Sequence, residues 1–109
     1  MKENQDFNIK RGEYRVLSIT TVDKEASALS LDNYTVVWYV WRNKSRVVTK
    51  KTDNGIVVTD ASAWSFEIEL ESADTNLPFG EYYHECRVID SNNNEVVVFT
   101  GSMIVEGGQ

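Results

Sequence analysis

The sequence predicts an all-β domain, an antiparallel sandwich of about seven short strands. Three observations carry that expectation. Residues 64–71, WSFEIELE, alternate without a break, with Trp64, Phe66, Ile68 and Leu70 on one face and Ser65, Glu67, Glu69 and Glu71 on the other. A period of two over a whole segment marks a strand with one dry and one wet wall. Turn signals recur between short apolar runs, and no segment repeats its apolar residues at the helical period. At 109 residues the chain is expected to be a single domain over 1–109, with 1–6 and 106–109 frayed.

In chain order, the first strand region is expected over 7–22, with a break at KRG and an inward face made by either Tyr14 with Val16 or Leu17 with Ile19. Residues 34–42, YTVVWYVWR, are apolar on both sides: Tyr34, Val36, Trp38 and Val40 on one, Val37, Tyr39 and Trp41 on the other. Such a strand is either covered twice or presents an interaction surface. NKS at 43–45 precedes a strand near 46–52, and TDNGI at 52–56 carries the Asn-Gly signal of a tight hairpin. The polar crossover ESADTNLPFG at 71–80 offers Ser72 or Asp74 to cap one helical turn. A strand over 80–90 follows, and DSNNNE joins it to 96–105, where Gly101 is expected to mark a bulge.

The totals exclude several classes. A formal charge of −6 argues against a general affinity for nucleic acid or acidic membranes. No apolar run approaches the roughly 20 residues of a membrane helix. The polar start MKENQDFNIKRGEY has no apolar core of a signal peptide. One cysteine allows no internal disulfide, which fits a reducing compartment. Charge is unevenly spread: residues 1–55 hold ten basic and seven acidic groups, whereas 56–109 hold one basic and ten acidic. Such asymmetry orients a module within an assembly. The basic hairpin of Arg42, Lys44, Arg46, Lys50 and Lys51 reads as a solvated element rather than a nucleic-acid contact. Sequons at Asn33 and Asn43 matter only on a eukaryotic secretory route.

The chemically tempting stretch is GEYYHECRVID, residues 80–90, with the single histidine and single cysteine two positions apart. On a strand, Tyr82, His84, Cys86 and Val88 share one face and Tyr83, Glu85, Arg87 and Ile89 the other. Zinc needs three or four ligands, and the supply of His and Cys ends at two. Side chains at i and i+2 stand roughly 6–7 Å apart, beyond the reach of a Cys–His pair. No spacing selects a carboxylate pair, and no phosphate-binding glycine motif is present. The sequence therefore predicts no catalytic residue, metal or cofactor, and no enzyme.

Gly80-Glu81-Tyr82, with Trp38 as core tryptophan, resembles the tyrosine-corner lead-in of immunoglobulin-like sandwiches, with Pro78 and His84 where antibody-type domains have Asp and Cys. A resemblance over almost the whole chain is to small domains of tailed-phage and prophage tail and baseplate proteins, including the N-terminal domain of the baseplate upper protein. It rests on Ile9 to Gly12-Glu13, Trp38 and Val40, then Ala73-Asp74-Thr75, Leu77, Gly80, Tyr82, Val88 and Asp90, and finally Thr100, Gly101, Met103 and Val105. This resemblance implies a disulfide-free, immunoglobulin-like sandwich acting as a non-enzymatic structural module of the virion, or of the host cytoplasm during assembly. Its partners would be other tail proteins or copies of itself in a homo-oligomer, with neither nucleic acid nor membrane. The expected interaction surface is Tyr39, Trp41, Tyr83, Arg87 and Ile89, aromatics with one Arg on an outer sheet face. The alternative is a module for carbohydrate or another cell-surface ligand, with Tyr39 and Trp41 as a stacking platform beside Glu85.

Overall fold

The computed structural model describes residues 3–20, 34–61 and 64–107. They form nine strands: β1 (Glu3–Asn4), β2 (Phe7–Lys10), β3 (Arg15–Thr20), β4 (Thr35–Arg42), β5 (Ser45–Thr52), β6 (Gly55–Asp60), β7 (Ser65–Leu70), β8 (Gly80–Ile89) and β9 (Glu95–Glu106). One helical turn, α1 (Ser72–Thr75), precedes β8. The fold is all-β, as the sequence predicts. Among the described residues no helix is long and apolar enough to cross a membrane.

The strands pair in the order β1-β9-β8-β4-β5-β6-β7-β3, with β2 also on β9. Pairing is mixed, which corrects the purely antiparallel expectation of about seven strands: β1 and β2 run parallel to β9, and β5 meets β6 through two parallel pairs. The reason lies at the break after Lys10. Gly12, at φ +79°, turns the chain so that residues 3–10 lie on β9 while 15–20 pair with β7. The end of the chain start that was expected to fray is thereby tied down, with the Gln5 amide donating to Thr100 O at 2.8 Å, and Glu106 pairs with Lys10. Residues 21 and 22 of the first expected strand lie outside the described residues.

The core unites the two ends of the strand order. Val36, Trp38 and Val40 of β4, Tyr82, Cys86 and Val88 of β8, and Phe99, Met103 and Val105 of β9 join Ile56 of β6 and Phe66, Ile68 and Leu70 of β7 in one buried cluster. The alternation over β7 is thus realised, with Glu67 and Glu69 exposed between buried neighbours. On β3 the inward choice is Leu17 with Ile19, both half-buried; Tyr14 and Val16 are exposed.

Three local devices differ from the sequence reading. The tight hairpin is at Asn43 and Lys44, both at positive φ (50° and 70°), joining Arg42 to Ser45. At Asp53 to Gly55 the positive φ values fall on Asp53 and Gly55, so the chain is sent away from β5 and onto β7 instead of turning back along it. The bulge in β9 is at Val98, skipped between the pairs Cys86–Phe99 and Arg87–Val97, while Gly101 pairs regularly with His84. The helical turn is capped as a box: Glu71 is the N-cap, and its N–H donates to Asp74 Oδ2 at 2.8 Å.

Candidate docking groove

β8 is the strand that sorts the molecule's chemistry. Its inward residues Tyr82, His84, Cys86 and Val88 are all buried, and its outward residues Glu81, Tyr83, Glu85 and Arg87 face a groove. Inside, His84 is 1% exposed. Trp38 Nε1–H donates to His84 Nδ1 at 3.1 Å, which leaves Nε2 to carry the proton and donate to Gln5 O at 2.6 Å. The ring also meets Phe7 and Phe99 edge-on. Burial pushes the imidazole below its ordinary pKa and pushes the Cys86 thiol up. The thiol is held protonated, unlike an activated nucleophile, and both ring nitrogens of His84 are already committed to hydrogen bonds. Among the described residues no three His, Cys, Asp or Glu side chains gather in a metal-binding group. His84 is a structural bridge between Trp38 and the N-terminal segment.

Gly101 makes that bridge possible. A Cβ there would stand 2.4 Å from Gln5 O and 2.9 Å from His84 Nε2, so only a hydrogen lets the segment lie across β9. At the start of β8, Tyr82 OH donates to Pro78 O at 2.7 Å and accepts from Arg42 Nη1 at 3.0 Å. The Arg42 guanidinium stacks on the Tyr82 ring and packs against Gly80, whose φ of +137° no L side chain adopts readily.

Outside, β4 and β8 with the flanks of β5 and β9 line a groove of about 920 Å³. Tyr39, Trp41, Tyr83 and Arg87 of the expected surface line it, and Ile89 lies beyond it, half-buried and paired with Glu95. Tyr39 and Trp41 are half-buried and 6.1 Å apart edge to face; Tyr83 is 45% exposed.

Two features of the groove escape a sequence reading. The Arg46 guanidinium lies over both rings, 4.6 Å from the Tyr39 centroid and 5.4 Å from that of Trp41. It reaches Trp41 because β4 and β5 shift register after Val40–Val48, so that Arg46, not Val47, stands opposite Trp41. The second feature is a carboxylate floor. Glu85, 9% exposed, accepts from Tyr83 OH at 2.6 Å and from Arg87 Nε, and Arg87 also reaches Glu95 at 2.9 Å. Desolvation and that carboxylate push the Tyr83 phenol up to about 12. The residues at i, i+2 and i+4 of one strand face thus lock each other, and the groove floor is rigid before anything binds.

No family model matches the sequence, and no curated protein matches it. Among solved structures, the chain is similar to Drosophila OTK, extracellular domains 3–5, at 15% identity and a TM-score of 0.41. That match covers 94% of this chain and 32% of the other, so the present chain spans about a third of its length.

Proposed function

We propose that this chain is a non-enzymatic structural module that docks to other proteins through the outer face of β4 and β8, as part of a phage or prophage tail or baseplate. The observation that carries the docking reading is the groove itself. Four aromatic rings and three arginines line the groove, the composition of an interface hot spot, and hydrogen bonds among Tyr83, Glu85 and Arg87 already order its floor.

The finer fold belongs to the same proposal: an immunoglobulin-like sandwich in which β1, β2, β9, β8, β4 and β5 form one layer and β6, β7 and β3 the other. The single core cluster between them and the Tyr82–Pro78 hydrogen bond support it. Two of the motifs of the phage resemblance touch in the fold. The Thr75 hydroxyl donates to Glu13 O at 2.8 Å, and the Gly12 amide donates to Thr75 O at 3.2 Å, so the lead-in over 9–13 and the crossover over 73–75 form one locked corner.

The carbohydrate alternative needs free ring faces for a sugar to stack on. Arg46 already covers those of Tyr39 and Trp41, which favours a protein partner. The test is co-expression of the chain with the products of its adjacent genes, followed by size-exclusion chromatography with light scattering. A stoichiometric complex with a tail protein, lost on Trp41→Ala with the fold intact by circular dichroism, is the expected result. Retention of the monomer on a glycan array, abolished by the same substitution, would overturn it.

A further inference from the structure

The outward face of β3, β6 and β7 carries exposed carboxylates and valines. Glu69 stands beside Val16 and Glu67 beside Val57, all four exposed. Tyr14, 55% exposed, donates its hydroxyl to Glu69 at 2.7 Å. Its phenol is pushed up first by that hydrogen bond and further by the fields of Glu69, Glu71 and Glu67, which therefore act on one patch. Among the described residues none of these glutamates pairs with a Lys or Arg.

The groove carries both signs: Glu85 and Glu95 are taken up by Arg87 and Glu81 bonds Ser102, whereas Lys44 and Arg46 lack a carboxylate partner among the described residues. The groove lies on β8, β4 and β5 in the middle of the strand order, and the glutamate face on β6, β7 and β3 at one end of it. Groove against groove sets mixed charges on mixed charges, whereas groove against glutamate face brings Lys44 and Arg46 to carboxylates that have no cation of their own among the described residues.

We infer that the groove's occupant is a second copy of this chain, whose glutamate face over β3 and β7 seats on its neighbour's groove at Lys44 and Arg46. The inference rests on the docking reading above and names its partner. The contact is heterologous: each copy uses one surface as donor and the other as acceptor, so assembly continues past a dimer into a ring or a stack. It is ionic at its rim and weakens with salt.

Sedimentation velocity over a concentration series tests this with three full-length chains: wild type, a groove variant (Lys44→Ala with Arg46→Ala) and a face variant (Glu67→Lys with Glu69→Lys). All substituted side chains are exposed, and an unchanged thermal midpoint verifies each fold. Wild type is expected to grow beyond a dimer with concentration and to revert toward monomer at ~0.5 M salt. Each variant alone is expected to be monomeric. An equal mixture is expected to form a dimer and stop there, because one intact groove meets one intact face. A wild type that stays monomeric, a wild-type dimer that does not grow, or a mixture that fails to pair overturns the inference. Binding of a tail protein through Trp41 by a monomeric chain would leave the docking reading standing without it.

Discussion

Mild acid should loosen this fold through one side chain. His84 is the only histidine in the chain, and both its ring nitrogens are committed, one accepting from Trp38 and the other donating to Gln5. A proton added at Nδ1 would face the indole N–H with a second donor in a site 1% exposed. Burial holds the folded pKa below its ordinary value and outweighs the opposing pulls of the Gln5 carbonyl and Asp6. The unfolded chain, titrating near ~6.5, binds the proton first. The contribution of neutral His84 is therefore complete above ~6.5 and is lost as pH falls toward the folded pKa, at a slope approaching ~1.4 kcal/mol per pH unit. Glu13 and Asp90, whose carboxyls are lowered chiefly by backbone hydrogen bonds, act only further down, below ordinary values of 4.5 and 3.8. Urea unfolding followed by tryptophan fluorescence between about pH 7.5 and 5 isolates the histidine. His84→Gln should flatten the slope. Equal wild-type stability at both ends of that range, or the same slope in the variant, would refute the linkage.

Two substitutions probe the backbone devices. Gly101→Ala places a methyl 2.4 Å from the Gln5 carbonyl and should cost ~1–3 kcal/mol, with loss of hydrogen-exchange protection at the Gln5 amide; unchanged protection would show that the segment does not lie as described. Lys44→Gly relieves a side chain at φ 70°, a strain of ~1–2 kcal/mol, against an unfolded-chain entropy loss of ~0.5–1 kcal/mol, so a modest rise in thermal midpoint is expected and a fall would contradict the turn.

Side-chain periodicity made the two sides of the principal strands legible. The alternation in β7, the two-sided β4 and the inward and outward sets of β8 are all read from spacing, because a pleat sends neighbours to opposite faces. Four of the five expected surface residues line the groove for the same reason. What spacing does not encode is register. A bulge that skips Val47 decides that Arg46 covers the rings, and another at Val98 leaves Gly101 in regular pairing. Turn chemistry misled where two Asn-containing turns compete: Asn43-Lys44 takes the hairpin conformation without a glycine, and Asn54-Gly55 serves a change of partner strand. The parallel attachment of β1 and β2 was hidden as well, since pairing between the two ends of the chain depends on contacts nearly a hundred residues apart in sequence, such as Asn8 with Glu106 (separation 98).

That attachment has a consequence for how the molecule comes into being. Residues 3–10 find their sheet partners only in 99–106, so during synthesis they have no strand to join until β9 has left the ribosome. Closure of so long a loop weighs on the rate of folding more than on the final stability. Nascent chains stopped before residue 99 should therefore leave residues 3–10 untethered, with Trp38 and His84 still lacking the carbonyl that completes their chain of hydrogen bonds.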